Sequence, residues 1–335
     1  MDPATHLLAS YTLGRAARAH LKSPVMAAAL LAGAAPDLDW LWHRSGPLAP
    51  MRAYGTVTHS VIGAALLAAA IAVALWGIMR KWSATPAGLP PLLATSSAAA
   101  ALHLLLDLCA STGIEPWWPV NTVRAAWSVT PLFDAVGVIL LVTCALLPLL
   151  LDMVKEEIGA RVDSGPSRVW PVTALVLMAA WVGARAVLHH RAEQVLAGAT
   201  YKGEAALHWG AFPAGTSPFR WRGIVETGAL LVEADVALDA AQPLSMDGVT
   251  IHYKPEPSPA VEAAAAAPLA RAYTGVAQFP VLTVEVRPDG ARAELHELGD
   301  SLLHTRDGAW NGLIELDPGS QVVRQSLYFV AAKSY

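Results

Sequence analysis

The chain has 335 residues, of which 54% are hydrophobic and only 15% charged, well below the roughly 25% charged of soluble domains. The net charge of −4 is uneven: residues 1–195 carry 13 basic and 11 acidic side chains, residues 196–335 carry 10 and 16. The composition excludes an ordinary soluble protein, and the acidic second half argues against a nucleic-acid-binding surface or flat adhesion to anionic lipid.

Asp2-Pro3 reads as a helix start, with Asp as N-cap and Pro at the first helical position. The helix is expected to reach about Leu21, with Arg15, Arg18 and Lys22 forming a basic face at headgroup level. The N-terminal Met-Asp-Pro-Ala-Thr-His lacks a basic region followed by an apolar run, so insertion is expected to rely on the later apolar segments. Ser23-Pro24 repeats the start signal. The apolar run from Val25 to Ala35 is about half the length a membrane span needs, and Pro36 stops it. A short buried or re-entrant helix is therefore expected, delivering Asp37-Leu38-Asp39 to a loop.

Four stretches carry no Asp, Glu, Lys or Arg: 53–79, 82–106, 135–151 and 169–184. They predict spanning helices at about 60–79, 91–110, 132–151 and 170–188. Gly63, Ala64 and the alanines at 98–101 permit close helix approach. Trp76, Trp82, Trp117, Trp118 and Trp170 fall near span ends, as an aromatic belt requires. Pro148 is a potential kink inside the third span. Cys109 and Cys144 lie in apolar segments and read as buried thiols.

After about Gln194 the pattern changes. Segments 228–238, 249–253, 281–286, 291–295 and 322–330 show strand-like alternation or β-branched content. Pro288-Asp289-Gly290 is a hairpin turn between two of them. Ser258-Pro259 starts a helix expected to run from Ala260 toward Ala272, kinked or cut short by Pro268. The expected fold is an α-helical membrane bundle over 1–195, with four transmembrane helices and N-terminal interfacial or re-entrant ones, and a β-rich extramembrane domain over 196–335.

The chemistry-bearing candidates are His6, Asp37, Asp39, His59, His103 and Asp107. His103 and Asp107 stand four apart on a helix, hence on one face. His59 begins the first span, and His103 and Asp107 end the second; two antiparallel spans bring a start and an end to the same side. The N-terminal segment precedes the first span and lies there too, and Asp134 at the start of the third joins them. A carboxylate at the edge of an apolar helix is costly unless paired or metal-bound. Histidine with carboxylate suits zinc, and also manganese or iron. The alternative is that His59 and His103 are interfacial hydrogen-bonding groups and Asp37 a helix stop.

The remaining histidines carry less. His189 and His190 end the fourth span, where a cation suits the helix terminus, and His20 and His43 fit an interface. His208, His252, His296 and His304 show no ligand spacing. Pro-Trp-Trp-Pro at 116–119 reads as an interface anchor, and Arg124 after it as either a substrate-phosphate contact or a lipid-headgroup contact.

The stretches MDPATH (1–6), PDLDW (36–40), THS (58–60) and HLLLDLCASTG (103–113), with WP at 118–119, resemble a family of bacterial and archaeal membrane proteins, the LexA-binding, inner-membrane-associated metal-dependent hydrolases. The resemblance covers about residues 1–135, and 212–227 looks like the segment joining membrane half and tail in longer members. Tyr54, Gly55 and Thr56 stand where the family often has His-Arg-Gly, and Ala135 follows Asp134 where it often has Pro. The order His, Asp, His, then His-x-x-x-Asp is more distantly similar to zinc-dependent phospholipase C and the P1-type nucleases. That likeness implies His6, Asp37 or Asp39, His59, His103 and Asp107 as ligands, with Asp107 able to bridge two metals.

The expected activity is metal-assisted hydrolysis of a phosphoester or related bond in a lipid-like substrate. His59, His103 and Asp107 would be the core ligands; of Asp37 and Asp39, one would be the further ligand and the other a catalytic base or a group that supports the ligands from behind. The competing reading is a non-catalytic scaffold or regulatory protein with a structural metal and a partner-binding β domain. A transporter would want ionisable groups mid-span in both halves, and they are lacking. The expected location is the inner membrane. Arg80, Lys81, Lys155, Arg161 and Arg168 crowd short loops opposite the site, while Arg15, Arg18, Lys22, Arg44, Arg52 and Arg124 spread over longer segments on its side. This favours an extracytoplasmic site and β domain, with membrane lipids as neighbours.

Overall fold

A computed structural model describes residues 1–17, 20, 23–39, 55–82, 87–159, 167–246, 248–301, 303–305 and 308–331. The readings placed on Arg18, Lys22, His43, Arg44, Arg52, Tyr54 and Arg161, and on the side chains of Trp82 and His304, lie outside the described residues. The chain divides into two compact units, one within residues 1–185 and one over Ala186–Tyr335.

The first unit begins with α1 (Pro3–Ala16) and α2 (Pro24–Ala34). Their starts are as expected: Asp2 accepts from the Thr5 amide at 3.0 Å and Ser23 from the Met26 amide at 3.1 Å, each ahead of a proline. α1 ends at Ala16, short of the expected Leu21. It also does not merely lie along the surface. A Cβ on Gly14 would come within 2.8 Å of the Met26 sulfur, and one on Gly33 within 1.8 Å of Ser10 Oγ. Small residues thus let α1 and α2 cross almost in backbone contact.

Four longer helices follow: α3 (Val61–Trp82), α4 (Leu89–Cys109), α5 (Ala135–Glu157) and α6 (Val169–Gly198). All four are long and apolar enough to cross a membrane, by length and composition. α4 packs against α1, α2 and α3, and 56% of its apolar stretch is buried, against 11% to 22% for the other three. It is therefore the central helix, and polar groups on it are held away from lipid. α5 starts at 135 rather than 132 because Asp134 caps it, accepting from the Val136 and Gly137 amides at 3.1 and 3.2 Å. α6 continues ten residues past its expected end, where Ala192 and Leu196 pack into the core of the second unit.

The second unit opens with a short hairpin, β1 (Thr200–Tyr201) and β2 (Glu204–Ala205). β3 (His208–Pro213), β4 (Arg220–Glu226), β5 (Leu230–Ala237) and β6 (Thr250–Tyr253) form an antiparallel sheet in sequence order around Trp221, Leu230 and Val232. The segment 212–227, expected as a connection, supplies the β3–β4 hairpin of this sheet. Next come α7 (Pro259–Ala266) and α8 (Pro268–Thr274). The expected single helix is cut at Ala267, which the following proline forces into an extended conformation. β7 (Pro280–Arg287), β8 (Gly290–Glu297), β9 (His304–Thr305), β10 (Gly308–Leu316) and β11 (Val322–Ala331) make the second antiparallel sheet, ordered β11-β10-β8-β7 with β9 on β10. Pro288-Asp289 is the expected turn between β7 and β8. Gly290 closes it at φ +142°, where a Cβ would strike the Leu316 carbonyl at 1.9 Å.

Candidate metal centre

Four parts of the chain deliver the candidate residues to one point in the first unit. The last two turns of α4 present His103 and Asp107 on its buried face. His59 stands just before α3, His6 in the first turns of α1, and Asp37 and Asp39 in the 3₁₀ turn at 36–39 that follows α2. The side chains of His6, His59 and His103 are fully buried, Asp39 and Asp107 nearly so, and Asp37 is the most open at 13%.

His103 Nδ1 lies 2.7 Å from the Gly33 carbonyl, one of the last four of α2 that have no partner within the helix. A carbonyl only accepts, so Nδ1 carries the proton and Nε2 presents a lone pair. His59 Nδ1 lies 3.1 Å from Asp39 Oδ2 and 3.1 Å from the Thr58 hydroxyl, whose own proton goes to the same Asp39 oxygen at 3.2 Å. This fixes His59 likewise, with Nε2 pointing inward.

The two inward nitrogens are 3.2 Å apart. Asp107 Oδ2 is 3.1 Å from that of His103 and 3.4 Å from that of His59, and Asp37 Oδ1 is 3.8 and 3.9 Å away. Asp107 divides its work: Oδ1 receives the Met1 ammonium and His6 Nε2, the latter at 3.1 Å, while Oδ2 faces the two imidazoles without a hydrogen bond. His6 stacks on His103 with ring centroids 3.8 Å apart. Among the described residues, His6 Nδ1, Asp37 Oδ2 and Asp39 Oδ1 are also buried without hydrogen-bond partners.

Acceptors thus face acceptors in a buried pocket. Such an arrangement is costly unless a cation sits between them. Burial alone would lower the His59 pKa, but the neighbouring carboxylates of Asp37 and Asp39 and the charge of Asp107 outweigh that and raise it to about 9. A proton on His59 is the cation the cluster can furnish for itself; the same atoms could hold a divalent ion. For His6, burial outweighs the pull of Asp107 and lowers the pKa, keeping the ring neutral.

Two triads have ligand atoms within 4.8 Å of one another: His6, His103 and Asp107, and Asp37, His59 and His103. Both need His103, whose Nδ1 is engaged with Gly33. They describe alternative ligand sets of one centre rather than two independent sites.

Asp134 stands apart. Its Oδ1 caps α5 and its Oδ2 receives the Trp181 indole at 2.7 Å, so both oxygens are occupied. Arg124 Nη1 donates to the Gly113 and Thr112 carbonyls at 2.9 and 3.3 Å, and Nη2 is 3.8 Å from Glu115. It braces the loop that also holds Gly55, whose amide donates to Asp39 Oδ2 at 3.1 Å. Gly55 adopts φ +72°, and a Cβ there would press on Arg124 Nη1 at 3.0 Å.

Sequence reading missed the supporting groups. Thr58 is legible only as part of Thr-His-Ser, and the Gly33 carbonyl leaves no side-chain signal. Arg185, 1% exposed and bonded through Nε to the Val129 carbonyl at 2.8 Å, was detectable as an ionisable residue inside an apolar helix. Around the site, the segment 115–133 exposes Trp117, Val120, Val123, Trp127 and Phe133.

The family model described as YdjM inner membrane protein matches residues 1–192, more than half of the chain, and the chain belongs to that family. No curated protein and no solved structure matches it.

Proposed function

We propose that this member of the YdjM inner membrane proteins is a metal-dependent hydrolase, acting at the membrane face on a phosphoester or similar bond of a lipid-like substrate. The observation that carries the reading is the convergence of His59 Nε2, His103 Nε2, Asp107 Oδ2 and Asp37 Oδ1 on one buried point, at the spacings given above. These four would hold the ion. Two imidazoles and two carboxylates suit zinc, with manganese or iron as the other candidates.

A bound divalent ion supplies Lewis-acid polarisation and a more acidic water. The chain's own groups supply the rest. His6 and the Met1 ammonium turn Asp107 so that Oδ2 faces the imidazoles. Asp39, held by Gly55 and Thr58, fixes the His59 tautomer and acts as a positioning residue. Asp37 is the most open carboxylate, so substrate and water would approach from its side, where its free oxygen can take a proton. The exposed aromatic and aliphatic side chains of 115–133 suit a lipid-embedded substrate. Arg124, already braced on the loop, would contribute its charge to the site rather than a free fork.

The same reading takes 1–195 as the membrane domain and 196–335 as the extramembrane one. It places the site outside the cytoplasm, because Arg80, Lys81, Lys155 and Arg168 lie at the opposite span ends.

The test is metal content of the detergent-purified full chain, wild type beside His103→Ala/Asp107→Ala, followed by phosphoester and phospholipid hydrolysis. Stoichiometric metal lost in the double variant, with metal-dependent turnover in the wild type, is the expected result. No metal in a folded wild type supplied with zinc, manganese and iron would overturn the proposal. The burial of His59 and His103 favours one second reading, a closed structural metal. Stoichiometric metal with four protein ligands, no bound water and no turnover would select it.

A further inference from the structure

A second cleft lies at the other end of the first unit. α5 starts beside the metal cluster, where the Asp2 amide bonds to the Leu132 carbonyl. Asp152 is eighteen residues beyond Asp134 on the same helix, roughly 27 Å away at 1.5 Å per residue. There the C-terminal part of α1, the second half of α5 and the first turns of α6 enclose a cavity of about 200 Å³. This is also where α1 departs from the expectation. Arg15, assigned to the headgroups on the site side, lines this cleft together with Lys155.

The lining is amphiphilic in an ordered way. Arg15 and Lys155 supply two cations, and Tyr11 and Trp170 supply polar tips on apolar rings. The guanidinium of Arg15 makes no ion pair or hydrogen bond among the described residues. Among the described residues Lys155 pairs with Asp152 at 3.0 Å, a pair that is nearly half exposed and so weakly held. Among the described residues the lining therefore keeps a positive excess. Its outer wall is Leu149 and Leu151, which are 52% and 40% exposed on a helix apolar enough to span. Its depth is that of a span end: α5 ends at Glu157 and α6 begins at Val169. At that level a bilayer places phosphates beside the first methylenes of the acyl chains.

We propose that this cleft binds an anionic phospholipid, with the phosphate between Arg15 and Lys155 and an acyl chain along Leu149 and Leu151. Charge complementarity selects an anion, and the exposed leucine wall selects one that carries a hydrocarbon chain. The lipid would lie in the leaflet opposite the metal cluster, so it is distinct from the substrate proposed above and independent of that reading.

Cys144 lines the same cleft and is partly exposed, whereas Cys109 is buried, so thiol alkylation reports on occupancy. The experiment is native mass spectrometry of the full chain with phosphatidylglycerol, phosphatidylcholine or inorganic phosphate, with the rate of Cys144 alkylation as second readout. Phosphatidylglycerol is expected to bind at least tenfold more tightly than phosphatidylcholine and to slow alkylation at least fivefold. Arg15→Gln/Lys155→Gln should remove both effects. Ala145→Phe, which fills the cleft without altering charge, should abolish retention of the lipid in the mass spectrum. Equal binding of the two lipids, or unchanged binding in both variants, would overturn the proposal and leave only annular lipid. Protection of Cys144 by inorganic phosphate alone, equal to that by lipid, would also overturn it.

Discussion

Glu297 in the β unit and Asp107 in the membrane unit are both buried carboxylates, 4% and 3% exposed, and they are treated in opposite ways. Glu297 accepts the backbone amides of Gln278 and Phe279 at 2.7 and 3.0 Å and that of Gly299 as well. Burial raises its pKa, and the amides that surround it partly counter the rise. The amides that hold Glu297 are all donors, so its carboxylate is satisfied as it stands. Asp107 Oδ2 instead faces the inward nitrogens of two imidazoles. Burial alone does not single out Asp107; burial among other ligand-type side chains makes it the candidate. The histidines repeat the lesson. In the β unit His252 and His296 each meet a carboxylate, Glu233 at 3.0 Å and Glu294 at 3.5 Å, in partly exposed pairs. In the membrane unit three histidines share one buried space.

The contrast can be pressed experimentally, beginning with its strongest consequence. Asp107→Asn should abolish stoichiometric metal, while Glu297→Gln should leave metal content untouched and cost only about 1–3 kcal/mol of stability; metal analysis with thermal unfolding of both variants decides it. Asp39→Asn should weaken metal binding about 10- to 100-fold without eliminating it, because it disturbs the orientation of His59 rather than a ligand. Competition with a chelator would show the difference, and complete loss would promote Asp39 to ligand.

A third consequence concerns pH. With the His59 pKa raised to about 9 in the metal-free protein, an incoming ion must displace a proton. Affinity should therefore rise about tenfold per pH unit between 6.5 and 9 and level off above, with about one proton released per metal at neutral pH. Calorimetry in buffers of different ionisation heat measures this directly. Without metal the sign for stability is opposite. The raised value stabilises the fold fully below about pH 6.5, the unperturbed histidine pKa, and that contribution is lost as pH climbs through about 9.

Two smaller effects complete the series. Gly33→Ala should destabilise by about 1–3 kcal/mol, since the added Cβ would fall 1.8 Å from Ser10 Oγ. His252→Ala should change stability by no more than about 1 kcal/mol, as partly exposed pairs do, and leave metal content alone. A larger response there would show that the β unit's polar groups are not merely surface.

Much of the membrane unit was legible in sequence because lipid imposes a coarse rule: uncharged runs of span length become helices, and Asp-Pro and Ser-Pro mark starts. The pairing of His103 with Asp107 follows from helical spacing, and the meeting of His59 with them from antiparallel spans. The path of α1 was not legible, since the Gly14 and Gly33 contacts that draw it inward are small-residue packing rather than amphipathicity. In the β unit, Pro288-Asp289-Gly290 was readable as a turn, but β3 and β4 were hidden. Gly210, Gly223, Pro213 and Pro218 interrupt that region, and its stability comes from tertiary burial of Trp221 and Ile224. The divergent roles of Asp37 and Asp39 depend on one residue of turn geometry, which no spacing rule resolves.

The proton of His103 is held by the carbonyl of Gly33, a main-chain atom. A main-chain atom has no codon. Replacing the side chain at position 33 cannot delete the acceptor; it can only move the helix that carries it. An alanine scan would thus report a packing defect at Gly33 and remain silent about the tautomer it enforces. Swapping the peptide bond between residues 33 and 34 for an ester would weaken the acceptor while leaving every side chain in place. The orientation of the most central imidazole is in this sense inherited through the shape of α2 rather than through any letter of the sequence.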